Sequence, residues 1–203
     1  MSRHRIALAW LLAGLLALAL TGCAAGPSAT PAEGQDPYFT DPVPEGKPQP
    51  VEPQSVTPGE ETGTCTVSIS CGTLLDAQDS LDPEKRELVP EDGWLLEPES
   101  VTFRQGESVF DVLLRVTREH KLHMEYTNTP LYNSAYIEGI GNLYEFDCGE
   151  LSGWMYSVNG WFPNYGCSRY QLQDGDVVEW VYTCDLGDDV GGGYATVQWY
   201  EVK

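Results

Sequence analysis

Two strictly alternating segments fix the ends of what this chain can fold into. Cys65-Thr66-Val67-Ser68-Ile69-Ser70-Cys71 puts Cys65, Val67, Ile69 and Cys71 on one face. Val177 to Cys184 does the same with Val178, Trp180, Tyr182 and Cys184. A period of two marks a half-buried strand, because successive side chains of an extended chain point to opposite sides. Between the two lies one clear helix. Ser108 followed by Asp111 is a capping box, and Val109, Val112, Leu113 and Val116 recur at helical spacing as a single apolar stripe. That helix is expected to end near His120.

The intervening elements are shorter. Ser100-Val101-Thr102-Phe103 reads as a second strand that turns at Arg104-Gln105-Gly106. Residues 73–98 are charged and irregular and read as a long loop or insertion. Leu122 to Thr127 reads as a strand. Ile137 to Gly141 and Leu143 to Phe146 read as short strands or a hairpin. Thr196 to Val202 is expected as a last edge strand after Gly191-Gly192-Gly193. Two strands, one helix, then more strands ending in a strong closing one is the order of an α+β, β-grasp-like fold. Its first and last strands pair in parallel at the centre of a mixed sheet, and its helix packs across one face.

Asn159-Gly160 is a strong hairpin signal, since both central residues of a type I′ turn need positive φ. Before it, Trp154, Tyr156 and Val158 alternate with Met155 and Ser157, so one strand face is aromatic or branched. Residues 132–182 hold 12 aromatics. Some must be core, Trp180 and Tyr182 among them. Trp154, Tyr156, Trp161, Phe162 and Tyr165 are divided between core packing and an exposed ligand face.

The N-terminal region speaks to location. Arg3, His4 and Arg5 precede an apolar run of 15 residues, Ile6 to Leu20, the pattern of a signal peptide rather than a transmembrane helix. Leu20-Thr21-Gly22-Cys23 fits a bacterial lipobox. Residues 1–22 are therefore expected to be cleaved and Cys23 lipidated, which anchors the protein at the extracytoplasmic face of the cell membrane without a spanning helix. Residues 23–62 then read as a disordered linker, because Ala24 to Glu61 holds nine of the 14 prolines and no periodic apolar pattern. Residues 63–203 are left as one domain. Processing would remove Arg3 and Arg5, leaving 9 basic residues against 31 acidic. Such a chain is a poor ligand for nucleic acid or anionic lipid surfaces.

Five cysteines follow Cys23, and export makes disulfides plausible. Cys148 and Cys167 flank the Asn159-Gly160 turn, and Cys71 and Cys184 end the first and last strands. Those are the expected pairs, with Cys65 unpaired. No CxxC occurs and only His120 and His123 remain after processing, so neither zinc nor another cofactor is expected. Asp185, Asp188 and Asp189 lack the spacing of an EF-hand and read as a polar turn. No GxSxG, HExxH or phosphate loop is present, so the domain is expected to be non-catalytic.

Four stretches carry a resemblance. They are Gly106 to Leu114, Asn133 to Gly141, Leu151 to Gly160, and Leu172 to Trp180. Together they resemble a bacterial domain-of-unknown-function family related to the C-terminal domain of transcobalamin and intrinsic factor. The resemblance covers roughly residues 65–190. It implies a β-grasp-like fold and a corrinoid, cobalamin-like ligand, with Trp154, Tyr156 and Trp161 falling where the family's hairpin approaches it. In the animal carriers a large helical barrel covers the other side of the corrinoid. That barrel has no counterpart in this sequence, so a partner protein completing the site is a further expectation. The alternative is a protein- or glycan-interaction module at the cell surface with no small-molecule ligand.

Overall fold

A computed structural model of the chain describes Tyr38 and residues 42–195. The expected signal peptide, Cys23 and the tail strand over Thr196 to Val202 lie outside the described residues. In chain order the elements are β1 (Thr62–Ser70), β2 (Trp94–Arg104), helix α1 (Val109–Glu119), β3 (Met124–Thr129), β4 (Ser134–Ile140), β5 (Leu143–Tyr144), β6 (Gly153–Val158) and β7 (Val177–Thr183).

One sheet has the order β2-β1-β7-β6 and a second, smaller one the order β3-β4-β5. β1 and β7 are parallel at the centre of the first, with Val67 opposite Val178 and Ile69 opposite Trp180. β2 and β6 flank them antiparallel. This is the β-grasp-like arrangement expected from the strand order. α1 begins where the capping box puts it. The Asp111 N–H donates to Ser108 Oγ at 3.2 Å, and the Ser108 N–H donates to Asp111 Oδ2 at 2.8 Å. These bonds satisfy two of the amides a helix start leaves open. Its stripe of Val109, Val112, Leu113 and Val116 is buried against Cys65, Val67, Ile69, Val178 and Trp180 of the sheet. Each such side chain gains roughly 1.5–3 kcal/mol over exposure. A second, smaller cluster joins Cys71, Leu74, Leu81, Leu143, Cys148 and Tyr182.

Four expectations change. Residues 73–98 are not all loop. They hold a helical turn at Thr73–Asp76 and a 3-10 segment at Pro83–Leu88, and β2 starts as early as Trp94. β2 contains Pro98, which cannot donate to a ladder. The strand tolerates it because β2 is an edge and the pairing slips between Val67–Glu99 and Ile69–Leu96.

The aromatic hairpin is also smaller than expected. Asn159 and Gly160 have φ of 52° and 72°, as a type I′ turn requires. Yet the second arm is one bridge, Val158 to Trp161, and the ladder partner of β6 is β7. Pro163 lacks an N–H, and the Phe162 N–H already donates to the Tyr194 hydroxyl at 2.8 Å.

Residues 42–61 are not a free linker. The Val51 N–H donates to the Arg169 carbonyl at 2.9 Å, and the Gly59 N–H to the Gln105 carbonyl at 2.8 Å. The Tyr165 hydroxyl donates to the Pro48 carbonyl at 2.8 Å. Proline-rich composition says the segment cannot build a core of its own, and that holds. It becomes a strap because the domain supplies the surface on which it lies.

Finally, Cys148 does not meet Cys167. Cys167 is in the main core with its Sγ 3.6 Å from the Ala135 carbonyl, whereas Cys148 is in the second cluster, 3.4 Å from Cys184 Sγ. The one-bridge hairpin is the reason: without a paired second arm, nothing carries residue 167 back alongside residue 148. Cys71 belongs to that second cluster and Cys184 packs against it, as their strand ends suggested, but the thiol facing Cys184 is that of Cys148.

Candidate binding groove

Of the five aromatic residues expected at a ligand face, Tyr156, Trp161 and Tyr165 belong to the main core with Trp154 packed against it, while Phe162 meets Tyr194 edge-on at 6.4 Å. Tyr156, Trp161, Phe162 and Tyr165 are buried, and Trp154 is half-buried. Tyr156 donates its hydroxyl to the Tyr165 carbonyl at 2.8 Å and lies 5.5 Å from Trp180. Trp154 donates its indole N–H to the Leu143 carbonyl at 2.8 Å and meets Tyr182 edge-on at 5.3 Å. Trp161 meets Tyr165 edge-on at 6.0 Å, and Tyr165 stacks on Tyr170 at 6.3 Å. The strap closes this layer from outside: the Lys47 ammonium sits 5.3 Å from the centre of the Trp161 ring. Of the two readings the sequence leaves open for these residues, burial places Tyr156, Trp161, Phe162 and Tyr165 in the packed interior, with Trp161 and Tyr165 held under residues more than a hundred positions away. Burial pushes the Tyr156 and Tyr165 phenols well above their ordinary range, which keeps them neutral donors.

Beside this layer the strap, the start of α1 and the β3–β4 hairpin enclose a groove of about 510 Å³. Val51, Pro53, Val56 and Pro58 of the strap form an apolar wall. Phe110 forms another and meets Tyr126 of β3 edge-on at 4.7 Å. Gly106, Pro130 and Ala135 add further apolar lining, and the polar groups come from Ser108, Asn128, Thr129, Asn133, Ser134, Ser168 and Gln171, with Asp111 the charged residue of the lining. Asn133, at the hairpin tip with φ of 47°, is clipped to the strap. Its Nδ2 donates to Gln54 Oε1 at 3.0 Å and to the Glu52 carboxylate. Ser134 and Ser168 hydroxyls share a hydrogen bond of 2.9 Å, and the Ala135 N–H donates to Ser168 Oγ at 3.1 Å. Gly166 makes that approach possible, since a Cβ there would sit 1.9 Å from Ser134 Oγ. Behind the strap, Arg169 pairs with Glu52 at 2.7 Å.

The chemistry of this groove is that of a neutral site. The capping box already takes up the Ser108 and Asp111 amides and leaves the Asp111 carboxylate at the helix start, so an anionic ligand would meet a carboxylate rather than a free helix dipole. Side-chain amides and hydroxyls present donors and acceptors together, between apolar walls. Asn128, Asn133, Ser168 and Gln171 carry no site signal in the sequence, because Asn128 is one strand polar among others and the rest are turn or loop polars until the hairpin and the 166–171 turn meet.

Residues 106–184 match a family described as domain of unknown function DUF4430. All four stretches that carry the sequence resemblance lie within that span. No curated protein matches. Among solved structures, haptocorrin in complex with Cbi is similar at a TM-score of 0.47 and 12% identity, over 64% of this chain and 27% of that one. A candidate metal binding protein from Ruminococcus gnavus is similar at a TM-score of 0.36 and 15% identity, over 60% of this chain and 96% of that one. The chain thus spans about a quarter of the length of haptocorrin.

Proposed function

We propose that this is a non-catalytic binding domain, lipidated at Cys23 and held at the outer face of the cell membrane. We further propose that its ligand is a neutral small molecule seated in the groove between strap, helix start and β3–β4 hairpin. The observation that carries the reading is the groove: residues from four separate stretches of chain meet around about 510 Å³, a size ordinary for small-molecule sites. The resemblance of roughly residues 65–190 to the transcobalamin-related family makes a corrinoid the ligand to test. A corrinoid is larger than the groove, so its rim amides would be held here and its other side left for a partner protein. Tyr156 and Tyr165 then act from beneath, since Tyr156 holds the Tyr165 carbonyl and Tyr165 stacks on Tyr170 in the turn that carries Ser168 and Gln171.

Calorimetric titration with cobalamin and cobinamide tests this. Micromolar binding is expected, weakened about tenfold by Asn133→Ala or Gln171→Ala, in line with the loss of one or two hydrogen bonds. Absence of heat with both corrinoids at tens of micromolar would remove the corrinoid. A second reading has its own observation: Tyr126, Leu131 and Tyr136 are exposed on the β3–β4 hairpin. On that reading the hairpin docks a partner protein or a cell-wall glycan, and titration with soluble wall oligosaccharides would give the signal that corrinoids do not.

A further inference from the structure

We propose that Cys148 and Cys184 form an intramolecular disulfide that fastens the turn after β5 to the end of β7. Their Sγ atoms are 3.4 Å apart. Both backbones are already held in place. The Cys148 N–H donates to Ser152 Oγ at 3.1 Å, inside a turn closed by Phe146 N–H to the Ser152 carbonyl at 3.1 Å. The Cys184 N–H donates to Asp189 Oδ2 at 2.7 Å. Sulfurs this close, on backbones so held, are brought to a bond of about 2 Å by turning the side chains. The other thiols are worse placed. Cys65 and Cys167 belong to the main core, and Cys71, though in the same cluster as Cys148, is fully buried, while the thiol facing Cys184 is that of Cys148. Cys184 is partly exposed and can meet an oxidant, with Cys148 buried directly behind it.

The reaction needs a disulfide oxidant, supplied by an exported thiol–disulfide oxidoreductase or, in vitro, by oxidised glutathione. The Cys184 thiolate attacks one sulfur of the oxidant, releasing one reduced thiol and leaving a mixed disulfide on Cys184. The Cys148 thiolate then attacks Cys184 Sγ and releases the second thiol. Two protein thiols lose two protons and two electrons, and the S–S bond of the oxidant is reduced. Burial and the neighbouring Cys148 raise the Cys184 thiol above its ordinary range, so exchange is slow at neutral pH and quickens as pH rises. The link closes a loop of 36 residues' separation and restrains the unfolded chain. It stands independently of the groove.

The full chain is incubated with oxidised glutathione at mildly alkaline pH, its free thiols are blocked under denaturing conditions, and it is digested without reductant for mass spectrometry. A peptide joining Cys148 to Cys184 is expected, with Cys65, Cys71 and Cys167 blocked. Thermal unfolding should rise by about 5–10 °C over the reduced protein. Cys148→Ser should abolish the link and the gain, while Cys71→Ser keeps both. Finding all five of these thiols blocked, or a link through Cys71 or Cys167, would overturn the proposal. Because the peptide identity is read directly in the unsubstituted chain, a variant that fails to fold leaves the test intact.

Discussion

Arg169 shows how much one side chain decides here. Its side chain is 2% exposed, yet it carries a full charge and faces Glu52 from the strap at 2.7 Å. Glu52 is one of the groups around that charge, together with the Tyr38 ring 5.3 Å away, so its removal costs a charge-assisted contact rather than all the compensation of the guanidinium. Because Glu52 is itself about a third exposed, Glu52→Ala is expected to cost about 1.5–3 kcal/mol in urea unfolding, the range of a hydrogen bond to a charged group. Glu52→Gln should recover part of it by keeping an acceptor. Ser108 is a simpler case. Its hydroxyl accepts the Asp111 N–H, and Ser108→Ala should cost about 1 kcal/mol, seen as a lower thermal midpoint. Trp161 separates core from platform. A surface platform would lose affinity on truncation and little else, whereas Trp161→Ala should destabilise by about 3–5 kcal/mol, because the ring is packed under Lys47 and against Tyr165.

At the scale of elements, what was legible in the sequence is what local pattern alone determines. The alternation in β1 and β7, the capping box and stripe of α1 and the Asn159-Gly160 turn each depend on neighbours within a few positions, and each stands where that pattern puts it. The strap was not legible. Its prolines report that the segment cannot pack on itself, but Tyr165 and Arg169, which receive it, are more than a hundred residues away. The groove was hidden for the same reason. Aromatic content pointed to residues 154–165, but the strap covers that layer and leaves the adjacent polar loops open. The cysteine pairing turned on the second arm of the hairpin, which ends after one bridge at Trp161. Deleting residues 42–58 should therefore do more than shorten a spacer. Tryptophan emission is expected to shift to the red as Trp161 meets water, and the unfolding midpoint to fall. Unchanged emission would mean that the strap does not cover the layer.

Across the whole molecule, burial gives stability a defined response to alkali. The Cys65 and Cys71 thiols are pushed up to about 11 and Cys167 to about 12, in each case first by desolvation. In the unfolded chain the same thiols ionise near their ordinary value of 9. Their folded values are the higher ones, so their contribution is fully present below about pH 9 and is lost as pH rises through 11 to 12. The thermal midpoint should accordingly fall progressively above pH 9, and Cys65→Ala should soften that fall.

The net charge of −20 and the groove agree on the kind of ligand that is excluded: among the described lining residues Asp111 is the charged one, and it repels anions. The central claim, that ligand is taken by the groove and not by the aromatic layer, is met most directly by mapping amide chemical shifts of the labelled domain during titration with cobinamide. The account predicts perturbations concentrated at 51–56, 128–134 and 168–171, with Trp154 and Tyr156 little affected. Perturbations centred on 153–158, or none at saturating cobinamide, would contradict it.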